Sequence, residues 1–276
     1  LFILDKIDAQ EDKNNSEPVY EKEYYTPEKS DSFTLMLILD LGDNGNTRDT
    51  FMVLRVVPSA KKYVCVPIAS NTLADFGGEK LSVENIYAGN GVVGLKSALE
   101  SMLGVPVDRD MKMDSTGFQK ICDIFGGANF AVPSGVKSVK EGMQFLSSVQ
   151  MQTLINYSEY KGGEQQRMIV TGSLVASMLN QTDGERLISL LDENFNTVIN
   201  IIDSDISVVD FSDKKKAITY LLENANESAQ LIMPEGKEND ESMFVVDSGF
   251  SDDIKDVFEI NSQNDESNTE GSSNAQ

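Results

Sequence analysis

Three apolar runs follow one another early in the chain, at residues 33–41, 50–57 and 62–68, separated by the turn-rich segment 42–48 and by Pro58-Ser59. Their near-continuous apolar character predicts strands buried on both faces. The period then lengthens. After Ala88-Gly89-Asn90-Gly91, residues 92–103 place Val92, Leu95, Leu99 and Met102 on one side of a helix, which Gly104-Val105-Pro106 stops. A strand at 109–113 precedes a helix over 116–125, entered through Asp114 or Ser115 as N-cap and ended by Gly126-Gly127. Residues 129–133 read as a further strand. Helical spacing dominates the rest: 145–157, 164–179, 184–198, and a helix capped by Ser212 or Asp213 that runs to 222. Two short strands at 231–233 and 243–246 flank an acidic turn at 235–242, and 252–258 reads as a last helix. Strands alternating with helices, with no linker dividing the middle, predict a single-domain α/β sandwich.

The ends depart from this pattern. Residues 1–32 read as a charged lead-in, 33–259 as the folded domain, and 260–276, rich in Asn, Ser and Glu, as a disordered tail. The formal charge is −22, with 45 Asp+Glu against 23 Lys+Arg. Residues 1–31 carry a net −5 and residues 236–276 a net −9, which leaves −8 for the middle of the chain, so most of the excess is terminal. Leu1-Phe2-Ile3-Leu4 fits either the trailing edge of a membrane anchor or an arbitrary starting point, and four apolar residues are too few to span a bilayer. A nucleic-acid partner is not expected, because phosphate-backbone binding needs a dense basic surface.

The absence of His excludes His-based triads and His general bases, and with them most catalytic zinc sites. No P-loop, HExxH, GxSxG or CxxC motif occurs. Cys65 and Cys122 lie in apolar strand and helix patterns and read as buried free thiols. Gly89-Asn90-Gly91-Val92-Val93-Gly94 has dinucleotide-fingerprint spacing, but no strand leads directly into it, and a loop delivering the chain to a helix is the commoner meaning. Gly162-Gly163-Glu164-Gln165-Gln166-Arg167 opens a helix whose free N–H groups could receive an anion, or it is an ordinary turn and helix start with Glu favoured by the dipole. Asp49 precedes a buried strand, where a carboxylate binds a cation or caps a turn. Arg55 falls inside an apolar strand, so its guanidinium needs a partner, an anionic ligand or an exposed edge. Lys214-Lys215-Lys216 reads as a solvated face.

In order and spacing, a set of soft motifs resembles the LytR-CpsA-Psr family from about residue 33 to 258. They are Arg48-Asp49-Thr50; Val66-Pro67 through Asn71-Thr72; Lys80 through Tyr87-Ala88-Gly89; and Leu103-Gly104-Val105-Pro106-Val107-Asp108. Asp114 through Gly117-Phe118, Asp123 through Gly126-Gly127, Val132-Pro133 and Gln165-Gln166-Arg167 follow. The resemblance implies a central mixed β-sheet sandwiched by helices, with an apolar tunnel for a polyprenyl chain. It implies an extracytoplasmic, membrane-anchored domain on the surface of a Gram-positive bacterium. The implied chemistry moves a cell-wall glycopolymer from a lipid pyrophosphate carrier, with arginines gripping phosphates and aspartates holding Mg2+.

Asp49 is the residue that matches the family's catalytic aspartate. Around it the pattern is thin. Thr47 stands where an arginine is expected, with Arg48 displaced by one, and Asn71 holds a carboxylate's place. The family's other arginine positions fall on Asn156, Ser158, Gly163 and Gln166, and the whole chain has five arginines, at 48, 55, 109, 167 and 186. The candidate phosphate ligands are therefore Arg48, Arg55, Arg167, Gln166 and Asn156, and the candidate metal ligands are Asp49 and Asn71. Two readings follow: a degenerate, non-catalytic member that binds lipid or serves as a scaffold, or an active phosphotransferase with an altered pocket.

Overall fold

The computed structural model describes residues 24–42, 49–224 and 227–260. Arg48, Thr47, most of the lead-in and the tail from 261 onward lie outside the described residues. The three apolar runs form β1 (Phe33–Leu39), β2 (Thr50–Val57) and β3 (Lys62–Ile68) as antiparallel neighbours. A hairpin of β4 (Leu73–Phe76) and β5 (Glu79–Ser82) leads into α1 (Val83–Leu103). Then come β6 (Arg109–Met113), α2 (Ser115–Phe125), and a hairpin of β7 (Ala128–Val132) and β8 (Gly142–Leu146). The helices α3 (Ser148–Asn156), α4 (Gly163–Asn180), α5 (Gly184–Ser189) and α6 (Leu191–Ile199) follow, then β9 (Asp203–Ser204) and α7 (Val208–Asn224). The described chain closes with β10 (Ala229–Leu231), β11 (Gly236–Glu238), β12 (Phe244–Val246) and α8 (Phe250–Val257).

The central sheet has the order β10-β3-β2-β1-β6-β9 and is mixed: β10 and β6 run parallel to their neighbours β3 and β1, and the other pairs are antiparallel. Because side chains alternate along a strand, one face and then the other is fed by successive residues. Met36, Ile38, Phe51, Val53, Val64 and Val66 pack on one face with Leu95 and Leu99 of α1 and Ile254 of α8. Met52 and Cys65 face the other way, onto Ala176 of α4. Both cysteines are buried free thiols, as the patterns require, and burial pushes each thiol up to about 12. The sheet is thus covered by helices on both faces in one domain. Among the described residues, no helix is long and apolar enough to cross a membrane.

Several elements differ from the sequence reading, each for a local reason. The helix expected from Val92 starts at Val83, and Gly91, at φ 64° and ψ −157°, breaks it in the middle. That conformation is open to glycine and strained for other residues. The helix expected over 145–157 divides into β8, paired to β7, and α3, which Ser147 starts by taking the Gln150 N–H in a capping box. The 184–198 helix breaks at Leu190 into α5 and α6. α7 begins at Val208, earlier than the Ser212 or Asp213 cap, because Ser207 and Asp210 bond reciprocally at its start. The strand expected at 231–233 lies at 229–231, set by its parallel pairing to β3. The acidic turn at 235–242 itself contributes β11, which pairs with β12.

Candidate functional site

At one end of the sheet four segments meet: the start of β2, the loop after β3, the end of α3 and the start of α4. What joins them is Arg167, which is 1% exposed, together with Glu164, which reaches the loop after β3. Its Nη1 donates to the Thr50 hydroxyl at 2.8 Å and to the Ile155 carbonyl at 2.9 Å, and its Nη2 to the Asp49 carbonyl at 3.2 Å. Nε and Nη2 together grip the Glu164 carboxylate, at 2.8 and 2.6 Å. Glu164 also takes the Ser70 N–H at 3.1 Å. A guanidinium has five N–H donors, and these contacts occupy the fork.

Burial would raise the Glu164 carboxyl, but the hydrogen bonds and charge of Arg167 outweigh it and hold the group below its ordinary 4.5. A carboxylate with a lowered folded value stabilises the fold above its unfolded value, and that contribution fades as pH falls. Wild-type protein should therefore exceed a Glu164→Gln variant in stability at neutral pH, and the gap should close as pH falls below about 4.5. Urea melts between pH 7 and pH 3 measure this, and a gap unchanged at pH 3 would refute it.

Beside this cluster lies Asp49 with a neighbour that the sequence reading did not single out. The pairing of Leu39 with Thr50 sets Asp40 across from Asp49, and like charges so placed repel. Asp40 accepts the Tyr87 hydroxyl at 2.5 Å and the Gly42 N–H at 3.0 Å, and Lys112 lies 3.6 Å away. Burial raises the Asp40 carboxyl, but these partners outweigh it and lower the group overall. Asp49, partly buried, is raised instead, first by burial and then by the Asp40 charge. Asp40 would have been found by laying β1 and β2 in register rather than by reading either strand alone.

The other candidates fall as follows. Asn156 is at the end of α3, its Oδ1 buried and without a hydrogen-bond partner. Gln166 lies with its side chain over Gly162. Asn71, read as a metal ligand, clasps the β11–β12 hairpin: its Nδ2 donates to the Ser242 carbonyl at 2.9 Å, and its carbonyl takes the Phe244 N–H at 3.0 Å, while its Oδ1 is buried without a partner. Arg55 is not brought to this site. It sits six residues along β2 from Asp49, roughly 20 Å at the strand rise, and donates to the Phe258 carbonyl and the Thr34 hydroxyl. Among the described residues no group of three or more His, Cys, Asp or Glu comes together that could hold a metal.

Toward the opposite end of the sheet, on the α4 side, lies an apolar cavity of about 540 Å³. Leu35, Leu54, Val56, Tyr63 and Met111 form its floor, and α5, α6 and α7 roof it with Leu187, Leu191, Phe195, Val198, Phe211 and Leu222. The Phe195 and Phe211 rings stack at 4.0 Å between centroids. At its rim Arg109 pairs with both oxygens of Asp210, at 2.9 and 2.7 Å. Neither Asp49 nor Arg167 lines it.

The same arrangement of sheet and helices occurs in known proteins. The family model for the LytR_cpsA_psr family matches residues 4–259. No curated protein matches the chain. Among solved structures, a putative transcription regulator from Eubacterium siraeum DSM 15702 is similar at TM-score 0.76 and 22% identity, covering 86% of this chain and 94% of that one. B. subtilis TagV gives a TM-score of 0.64 at 14% identity, covering 83% and 96%. TagT bound to LI-WTA gives 0.66 at 14% identity, covering 86% and 93%. At these identities the likeness is one of fold.

Proposed function

The chain belongs to the LytR_cpsA_psr family, and on that premise we propose that it is a cell-envelope protein resembling glycopolymer transferases, with a lipid-binding role in place of phosphotransfer. It works on the outer side of the membrane, in a Gram-positive envelope. The cavity holds the polyprenyl chain of a lipid-linked cell-wall glycopolymer. Support for that ligand class comes from the structural neighbour TagT, which was solved bound to LI-WTA. The cavity's apolar floor and roof suit a hydrocarbon ligand, since burying apolar surface there gains roughly 25 cal/mol per Å².

The observation that carries the non-catalytic part is the commitment of Arg167. Phosphoryl transfer depends on cations placed at the developing negative charge, and here the arginine nearest Asp49 among the described residues spends its donors on Glu164, Thr50 and two carbonyls. Arg55 is held at the far end of the strand.

The runner-up reading is an active phosphotransferase with an altered pocket, and the raised Asp49 is what favours it, because a cation would offset both its burial and the Asp40 charge. Mg2+ needs only one or two protein carboxylates when water and substrate phosphates complete its shell. Asp49, with Asp40 behind it, fits that requirement better than Asn71. Bound there, Mg2+ would supply charge neutralisation at a phosphate.

The test is to purify the protein, extract and identify bound lipid, and assay release of inorganic phosphate from a polyprenyl pyrophosphate with Mg2+, water taking the phosphoryl group and polyprenyl phosphate remaining. Wild-type protein is expected to retain lipid and release nothing, and Val198→Trp, which fills the cavity, is expected to lose most of the lipid. Release that Asp49→Ala abolishes would overturn the non-catalytic reading. An absence of lipid in wild type, or a Val198→Trp variant that retains it, would overturn the lipid-binding reading.

A further inference from the structure

We propose that the outer edge of β8 is a self-association surface, on which a second copy of this chain lays its own β8 antiparallel, Met143 of each copy against Phe145 of the other. No residue of β8 lines the apolar cavity, so this surface is independent of what the cavity holds.

The β7–β8 hairpin is a two-stranded sheet of its own, and its two outer edges differ. On β7 the Gln181 side-chain amide accepts the Asn129 N–H at 2.7 Å and donates to the Asn129 carbonyl at 2.9 Å, so that edge is covered. Asn129 thus turns its backbone groups away from β8. By antiparallel alternation Phe145, its opposite number, turns its own off the far side of β8, and so does Met143 opposite Ala131. Among the described residues no strand pairs with that side. An open edge is a template for another strand, and natural edges are commonly blunted by lysine or proline. Residues 142–146 carry no charge and no proline. Their outward side chains are apolar: Met143 is 74% and Phe145 58% exposed, and Val149, in the first turn of α3, is 57% exposed.

Register and charge select a second copy as the occupant. Pairing centred on Gln144 is two-fold symmetric, and it sets Met143 and Phe145 of one copy against Phe145 and Met143 of the other. Both are positions whose N–H and C=O point outward, so each pair closes both of its hydrogen bonds. From Gly126 to Ser158 the charged residues are Lys137, Lys140 and Glu141, a net +1 in a chain at −22, so two acidic copies meet here with little local repulsion. The same register brings Glu141 to Ser147 of the other copy, the N-cap of α3, where the positive end of the helix dipole favours a carboxylate. A lipid surface fits less well, because hydrocarbon would leave the Met143 and Phe145 backbone groups unpaired. One short strand and three side chains make a small patch beside the roughly 800 Å² per partner of a standard interface, so the dimer is weak and concentration-dependent.

The experiment uses the full chain. Sedimentation velocity from about 1 to 300 μM should show a reversible monomer–dimer equilibrium that strengthens as salt screens the net charge. Met143→Glu should move the midpoint at least about tenfold to higher concentration while melting like wild type. Cross-linking tests the register. Gln144 falls on the two-fold axis in a non-hydrogen-bonded pair, where Cα atoms lie about 4.5 Å apart, within disulfide reach. Under mild oxidation Gln144→Cys should form the linked dimer at least about fivefold faster than Met143→Cys. Random collision would give the reverse order, since position 143 is the more exposed, and the native cysteines are buried. A chain that stays monomeric throughout overturns the proposal. So does a dimer that Met143→Glu leaves intact, or linkage that is faster at position 143. Sedimentation with phosphatidylglycerol vesicles that Met143→Glu abolishes, with no dimer in solution, would assign the edge to a membrane and overturn it as well.

Discussion

Arg167→Ala is expected to cost the domain about 3–5 kcal/mol of stability, the range for stripping one partner from a buried ion pair. Its removal leaves the Glu164 carboxylate buried with its main counter-charge gone, and it orphans Thr50 and the Ile155 and Asp49 carbonyls in the same step. Arg167→Lys should recover little, because one ammonium cannot reproduce a fork that reaches three segments. Urea unfolding followed by circular dichroism measures both. An arginine kept for ligand binding commonly strains its surroundings, so its loss leaves stability unchanged or improved. A cost below about 1 kcal/mol would therefore return Arg167 to the role of phosphate ligand and sink the structural account.

Arg55→Ala is the second large effect, expected at about 2–4 kcal/mol from two hydrogen bonds of a charged donor, one of them to a backbone carbonyl, and from the stacked ring. Arg55 is 8% exposed, and its guanidinium bonds the Phe258 carbonyl at 3.2 Å and Thr34 at 3.1 Å and sits 5.9 Å from the Phe258 ring centroid. Burial pulls its pKa below the usual arginine value, while the Asp108 and Glu259 charges hold it up. Since Phe258 caps α8, the loss should be local first. Amide exchange across α8 should accelerate in the variant, well before the strands of the central sheet respond. Protection of α8 that stays at the wild-type level would refute this role.

These two arginines also show where the sequence stops being legible. The strands β1, β2, β3 and β6 were readable because apolar continuity and turn residues are local signals. The start of α3 was not, because Phe145 belongs to a strand only through its pairing with Asn129. The same holds for the end of the sheet that carries the candidate site. Asp49 was visible as a carboxylate before a buried strand, whereas Asp40 became its neighbour only through the β1–β2 register. Asn71 stood in a carboxylate's position by motif, and its engagement with Ser242 comes from a hairpin 171 residues later.

Composition and spacing were enough to settle the α/β class, the acidic ends, the exclusion of histidine chemistry, the scarcity of arginine and the likeness to one envelope family. All but the last depend on residue counts or on local patterns, and the likeness depends on the order and spacing of short motifs along the chain. What the arginines do was left to the folded chain. A buried guanidinium must find acceptors, and it takes them wherever the fold delivers them. For Arg167 these lie at Glu164, three residues away, and at Thr50, 117 away; for Arg55 one lies at Phe258, 203 away. No local pattern records such partners, because they are selected by packing. Once packed, a charge that could have met a phosphate is held by the protein itself.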